Sequence, residues 1–225
     1  MSRYKRSGAD VVRWPDSPDA REALEEWFAA ASSDTASYLS GDFLDFRGAD
    51  LSNLDLTGAY LANSCLVGVR FEDANLGGAN LNNSELQGAD FSFSDLAKAE
   101  MVGCSARNAR FRGARLFSVE FDEAVLEGVD LSHAILNSAK LYKTDLRDAN
   151  LEFSSLRWCA LGGTDMPAVL SGARMFGCQL EGAKGTVVGP VFVDQGATLL
   201  LHAAELEAWF SEQDAKNVQV VPRTR

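Results

Sequence analysis

Histidine is nearly absent. The chain has two, His133 and His202, and neither has a Ser/Asp or Cys partner at a spacing that suggests a triad. Its four cysteines form no Cys-x-x-Cys pair, which argues against a disulfide framework and against a zinc site. No apolar run approaches the ~18 residues of a membrane span. The opening stretch MSRYKRSGADVVRWPDSPD is basic but has no apolar region of a secretory signal, so the expected compartment is cytoplasmic. Cations are the scarcer charge, 21 Lys+Arg against 32 Asp+Glu for a net of −11, which speaks against ordinary phosphate-backbone binding. Neither nucleic acid nor membrane is therefore expected as a partner. The glycines of GGAN and GGTD read as turns, and no phosphate loop is needed to explain them. No catalytic residue, cofactor site or metal site is expected, and no enzyme.

What the sequence has in abundance is repetition. From Phe46 the middle reads in fives: FRGAD LSNLD LTGAY LANSC LVGVR FEDAN, and so on to Met166, 25 blocks in one frame. The first position holds Leu 17 times, Phe five times, Met twice and Ala once, at Ala106. Two residues earlier the side chain is small in 23 of 25 blocks, Leu44 and Leu54 being the departures. Cys104, Cys159 and Cys178 lie in this small column and read as small hydrophobes, while Cys65 lies one position off it. Two residues after the large position, Gly occurs nine times and Asn four times, as a tight turn requires.

A period of five fits neither a 3.6-residue helix nor an alternating strand. It fits a chain that turns a corner every five residues. Four corners close a square coil of 20 residues with one large and one small side chain inside each face, and stacked coils pair backbone to backbone. The frame slips after Met166, where the next large residue, Leu170, comes four on, with Pro167 at the slip as a corner that needs no N–H. Met175 and Leu180 then follow at fives, so 28 pentapeptides make seven coils, a rod ~34 Å long at ~4.8 Å per coil.

ADLSN, ANLGG, ANLNN, ADFSF and ANLEF match A(D/N)Lxx, and in this the chain resembles the pentapeptide-repeat family over about 140 of its 225 residues. The resemblance implies an all-β solenoid, a right-handed quadrilateral β-helix. Its best-known members are quinolone-resistance and topoisomerase-poison self-resistance proteins. It therefore implies a DNA mimic that binds a type II topoisomerase, DNA gyrase, and modulates it or protects it from a poison. Quinolone-resistance members dimerise through C-terminal elements, which implies a homodimer here. The alternative is a rigid scaffold for an unidentified protein partner, supported by outward-facing Phe93, Phe117, Tyr142, Phe153 and Trp158.

The ends leave the repeat. Residues 1–43 read as an N-terminal helical cap, 44–185 as the β-helix and 186–225 as a C-terminal capping or dimerisation segment. In DSPDAREALEEWFAAAS, Ser17 caps, Pro18 opens the helix, and Ala20, Leu24, Trp27, Phe28 and Ala31 make one apolar stripe. A second short helical piece is expected in SDTASYLSG, and a long helix from roughly 197 to 214. Its Leu199, Leu200, Ala203, Leu206, Trp209 and Phe210 offer more apolar surface than one cap needs and are the candidate dimer interface. NVQVV reads as a further strand.

Residues 20 apart stack, so charge can be read in columns. Asp50, Arg70, Asp90, Arg110, Asp130 and Asn150 alternate in sign. Glu100 and Glu120 stack like on like, with Asp122 and Glu123 beside them and Lys140 the nearest stacked cation. This cluster is the candidate partner-binding acidic surface. In CSARNARFRGARLF, residues 104–117, Arg107, Arg110 and Arg115 fall beside stacked carboxylates, whereas Arg112 lies between Ser92 and Ser132 without a mate.

Overall fold

The computed structural model describes residues 7–31 and 37–222. Its body is a stack of coils joined by parallel one-residue bridges between residues 20 apart. Ser40 pairs with Tyr60, Tyr60 with Asn80, Asn80 with Glu100, Glu100 with Glu120, Glu120 with Lys140 and Lys140 with Ala160. Three equivalent columns run through Asp45, Asp50 and Asp55. Four interior faces result, each named here for an early large residue: Phe46, Leu51, Leu56 and Leu61. All four are fully buried, or very nearly so.

The motif explains its own backbone. Leu51 N–H donates to Arg70 O of the next coil, and Asn53 N–H to Glu72 O. Ala59 N–H turns back to Leu56 O at 3.0 Å, closing a turn in which Gly58 has φ +68°. One N–H per block is left over, that of the residue after the large one. The Asp or Asn of A(D/N)L accepts it: Asp50 from Ser52 at 3.2 Å, Asn75 from Gly77 at 3.1 Å, Asp90 from Ser92 at 3.0 Å. The acidic residue of the motif is thus a backbone partner before it is a charge. Polar members of the small column are satisfied too: Ser94 donates to Phe91 O at 2.7 Å and Thr144 to Phe121 O at 2.8 Å.

Inside, Phe71, Phe91 and Phe111 stack with ring centroids 4.8 Å apart at each step. Phe111 then meets Phe121 edge-on at 6.0 Å.

The frame breaks earlier than its period indicates. Met166 is not a core residue but 44% exposed. Gly162–Gly163 (β1) pairs antiparallel with Met166–Val169 (β2), forming a short hairpin. The break shifts the ladder: Asp145 bridges Val169, Asn150 bridges Arg174, Ser155 bridges Gln179 and Ala160 bridges Lys184, all 24 apart. Leu161 and Leu170 hold the core on either side, and Ala168 fills the small site that Thr164 would take in frame. Only glycine permits the step at 162, where φ is +103° and a Cβ would lie 2.3 Å from Met166 O. The repeating surface is therefore interrupted once.

At the N-terminal end, Pro18–Ala31 is helix α1, with Ser17 Oγ accepting from Ala20 N–H at 3.5 Å. Its buried residues are Ala20, Leu24, Trp27 and Phe28, all in one cluster with the coil interior. Arg13 bridges Asp50 antiparallel. The first four residues of SDTASYLSG, 33–36, lie outside the described residues. The described part, 37–41, is not helical, because Ser40 is already paired to Tyr60.

At the other end, Ala173–Arg174 (β3), Val191–Phe192 (β5) and Leu200–Leu201 (β6) form one sheet in the order β3-β5-β6. Lys184–Val188 (β4) crosses the 185/186 boundary and pairs in parallel with both β2 and Asn217–Val220 (β7). The expected helix from 197 is shorter: α2 spans Ala203–Glu212. Its first expected residues are diverted because Asp194 accepts from Thr198 N–H at 2.9 Å and Leu199 N–H at 2.6 Å, fixing a loop in which Ala197 is left-handed. Leu200 and Leu201 then pair with β5.

Candidate functional site

The candidate residues lie on open surfaces of the coils and in the C-terminal segment. The acidic cluster lies on the Leu61 face, and each member has a partner. Glu120 is ion-paired with Lys140, and Glu100 accepts from Asn82 Nδ2 at 2.9 Å. Asp122 accepts the Tyr142 backbone N–H at 2.9 Å, the N–H that an Asx side chain serves elsewhere. Glu123 meets Lys143 at 3.4 Å. The Glu100–Glu120 bridge does place like charges on adjacent strands, but two lysines on the following coil offset them. Lys143 was not apparent from stacking on Glu120 alone; it stacks 20 residues beyond Glu123.

The alternating column on the Leu51 face closes as its order predicts. Arg70 lies 3.2 Å from Asp50, Arg110 lies 3.4 Å from Asp90, and Asn150 donates to Asp130 at 3.1 Å. Burial raises the Asp90 pKa, but hydrogen bonds from Ser92 and then Arg110 outweigh it and hold the carboxyl below its usual range. Asp145 is similar: partial burial opposes ionisation, and Arg147 overcomes it. Arg107 pairs with Glu127 at 3.3 Å and Arg115 with Asp95 at 3.3 Å. Arg112 is exposed and has no side-chain partner among the described residues.

The candidate dimer residues divide. Leu206 and Phe210 are fully buried within the protomer, Leu200 and Trp209 are half-buried, and Leu199 and Ala203 are exposed. A Cβ added at Gly189 would press on Leu206 at 2.6 Å, so α2 sits tightly on the end of the stack.

The outward aromatics stay outward. Phe93, Phe117, Phe153 and Trp158 are 45–58% exposed, and α2 does not cover Phe153 or Trp158. Phe93, Phe153 and Trp158 occupy the left-handed corner position, with φ 57–60°, where glycine sits in other coils. Each lies over the glycine one coil on: Phe93 over Gly113, Phe153 over Gly177, Trp158 over Gly182. A left-handed non-glycine residue costs about 1–2 kcal/mol, but many corners carry one, so these three positions stand out by ring size and exposure rather than by backbone.

Cys104, Cys159 and Cys178 are buried, and burial pushes each thiol up to about 12. Among the described residues no group of His, Cys, Asp and Glu could hold a metal, and no helix is long and apolar enough to cross a membrane. His133 stacks on Phe153 at 5.2 Å, and His202 precedes α2.

A family model of pentapeptide repeats matches in eight copies over residues 43–78, 74–113, 114–152 and 130–166. No curated protein matches the chain. Among solved structures, full-length QnrB1, a plasmid-mediated fluoroquinolone resistance protein, is 18% identical, covers 80% of this chain and 82% of its own, and superposes with a TM-score of 0.52. HetL, involved in heterocyst differentiation regulation in the cyanobacterium Nostoc sp. strain PCC 7120, is 23% identical over 73% of this chain and 85% of its own, TM-score 0.49. A pentapeptide repeat protein from the Arabidopsis thaliana thylakoid lumen is 24% identical over 58% and 77%, TM-score 0.39. The family match spans more than half of the chain and falls on the coils whose ladder steps by 20, and the chain belongs to the pentapeptide-repeat family, whose fold is the right-handed β-helix.

Proposed function

We propose that the protein is a cytoplasmic, non-enzymatic DNA mimic that binds a type II topoisomerase, DNA gyrase, and modulates it or protects it from a poison. The observation that carries the reading is a regular rod with an acidic surplus: residues 44–183 hold 19 Asp+Glu against 12 Lys+Arg. The fold shared with QnrB1 supports it. Glu100, Glu120, Asp122 and Glu123 form the partner-facing surface. Residues 1–43 and 186–225 cap the coils of 44–185, and the C-terminal segment dimerises through Leu199, Leu200, Ala203 and Trp209, with Leu206 and Phe210 anchoring α2 beneath them. Such a dimer would be ~70 Å long, the length of ~20 base pairs.

The test is a gyrase supercoiling and cleavage assay with purified protein, with and without a fluoroquinolone. Inhibition of supercoiling or rescue from the drug at micromolar protein is the expected result; no effect on either sinks the reading. Light scattering tests the dimer separately. A mass matching the 24.3 kDa monomer, unchanged on deleting residues 197–225, rules it out.

The exposed corner aromatics favour a second reading, a scaffold for a protein partner, in addition to or instead of gyrase.

A further inference from the structure

The Leu56 face differs from the other three. Its outward charges within the repeat are Asp55, Asp95, Lys98, Arg115, Arg157 and Glu181, three of each sign in a chain with net charge −11. Between Lys98 and Glu181 it carries only Arg115 and Arg157. The two end carboxylates are held by those same cations, Asp95 by Arg115 at 3.3 Å and Glu181 by Arg157 at 3.8 Å. Along the corner shared with the Leu51 face, Glu152 is held by Arg174 at 4.0 Å. Among the described residues, the charges at this face without a side-chain partner are therefore Lys98 on its corner and Arg112 one coil on, both cationic.

Apolar surface gathers on the same three coils. Phe117 and Ile135 project from the face, His133 and Phe153 stack along one corner, and Trp158 stands at the other. Phe153 and Trp158 keep large rings in a backbone conformation that glycine would adopt without strain.

We propose that the strip formed by Arg112, Phe117, His133, Ile135, Phe153 and Trp158 docks an acidic segment of a partner protein that carries aromatic anchors. This rests on the scaffold reading and not on topoisomerase binding, which uses the opposite charge and a different face. Aromatic side chains and arginine are the groups that most often dominate binding at protein interfaces. The partner's carboxylates meet Arg112 and the rim cations Arg115 and Arg157. The partner's rings fill the steps between Phe117, Ile135 and Trp158. Stacking rings with arginine also suits single-stranded nucleic acid, but a phosphate chain would run along a rod whose other faces are acidic.

The probe is the random copolymer of glutamate and tyrosine, immobilised and titrated with the full chain. Poly-glutamate, a lysine–tyrosine copolymer and an oligothymidylate serve as comparisons. Saturable binding of the glutamate–tyrosine copolymer is expected, stronger than to any comparison. Arg112→Glu, Phe117→Ser and Trp158→Gly should each weaken it about tenfold, a loss of about 1.4 kcal/mol, while Glu85→Gln, exposed on the opposite Phe46 face, leaves it unchanged. Trp158→Gly relieves a left-handed residue and should keep a thermal midpoint within a few degrees of wild type, so its loss of binding is not unfolding. The random copolymer presents every local order of the two residues. Absence of saturable binding therefore overturns the proposal, as does binding indifferent to Arg112→Glu and Trp158→Gly. Preference for oligothymidylate overturns it in favour of a nucleic acid, and self-association lost in the same variants overturns it in favour of a second copy. A negative supercoiling assay has no bearing on any of these outcomes.

Discussion

Replacing Ala106 with leucine should destabilise the protein, although leucine is the residue that its column otherwise uses. The column runs Phe46, Leu66, Leu86, Ala106, Leu126, Leu146 and Leu170, all buried. Read alone, Ala106 is an under-filled site, and Ala106→Leu would be a gain. The Leu61 face says otherwise: Leu61, Leu81, Met101, Phe121, Leu141 and Leu161 include one aromatic, Phe121, and its ring meets Phe111 across the core at 6.0 Å. One small and one outsized residue thus fall within a single turn of the coil. If the ring of Phe121 occupies the room that Ala106 vacates, a leucine at 106 overpacks the level and costs about 1–3 kcal/mol. For a chain of this size that lowers the thermal midpoint by roughly 2–4 °C per kcal/mol. Phe121→Leu alone loses buried carbon and costs about 1–2 kcal/mol. The pair Ala106→Leu/Phe121→Leu restores the common pattern and should lie closer to wild type than the two losses added together, with a coupling of about 0.5–3 kcal/mol. Urea denaturation of the four proteins, followed by circular dichroism, measures the cycle. A stabilised Ala106→Leu, or losses that add within about 0.5 kcal/mol, would refute the compensation.

Gly113→Ala should be among the costliest surface substitutions, because the site has φ +66° and its new Cβ would meet the Phe93 ring at 2.8 Å; Gly68→Ala, also left-handed but with nothing near it, should cost less, and thermal melts rank the two. Asp90 and Asp145 have depressed pKa values, so their contribution is present above the unfolded carboxylate value of ~3.9 and is lost as pH falls through the folded values. Urea midpoints should therefore fall below about pH 4, and Asp90→Asn should shrink that fall; an unchanged acid limb in Asp90→Asn would falsify the assignment. Native protein treated with maleimide should be modified at Cys65, the half-buried thiol, before Cys104, Cys159 or Cys178, which become reactive only in denaturant; mass spectrometry of peptides reads the order. Phe210→Ala should cost about 3–5 kcal/mol by unseating α2, seen as a lower urea midpoint with the coil signal retained.

The fold was legible because a square coil repeats one local instruction. Large residue, turn residue, small residue and Asx acceptor recur at fixed offsets, so each position in FRGAD or ANLGG reports a contact that exists in the structure. The instruction fails where a non-repeating contact decides. Met166 falls in frame and is apolar, yet β1 and β2 fold away because Gly162 permits a step that no other residue would. The Gly162–Gly163 pair alone was no signal, because Gly77–Gly78 holds the same two positions of LGGAN in a coil that keeps the frame. Leu199 and Leu200 carry helical periodicity with Ala203 and Leu206, yet one carboxylate, Asp194, captures two backbone N–H groups first. Of the acidic cluster, stacking revealed Glu120 over Lys140 but not that Asp122 serves a backbone N–H, since that role lies one coil away from its usual donor. A side chain employed by the fold cannot be read as surface charge alone.

That distinction bears on what kind of DNA mimic the rod could be. B-DNA carries one charge per ~1.7 Å of axis. The repeat carries 19 carboxylates and 12 cations, and over ~34 Å that surplus amounts to one net charge per ~5 Å, about a third of the DNA density. Dimerisation doubles length and charge together and leaves the density unchanged. The surplus is also uneven. Apart from Asp165 on the β1–β2 hairpin, the Leu51 face has six carboxylates to four arginines, the Phe46 face five to three, the Leu61 face four to two, and the Leu56 face three to three. Most of the anions on the first two of these are paired within the ladder. A topoisomerase would therefore be engaged by the width and regularity of the rod and by the Leu61 face, where Glu100 and Glu123 are the most exposed of the acidic cluster. The Leu56 face, neutral and aromatic, adjoins the Leu61 face at one corner and is left for a different partner.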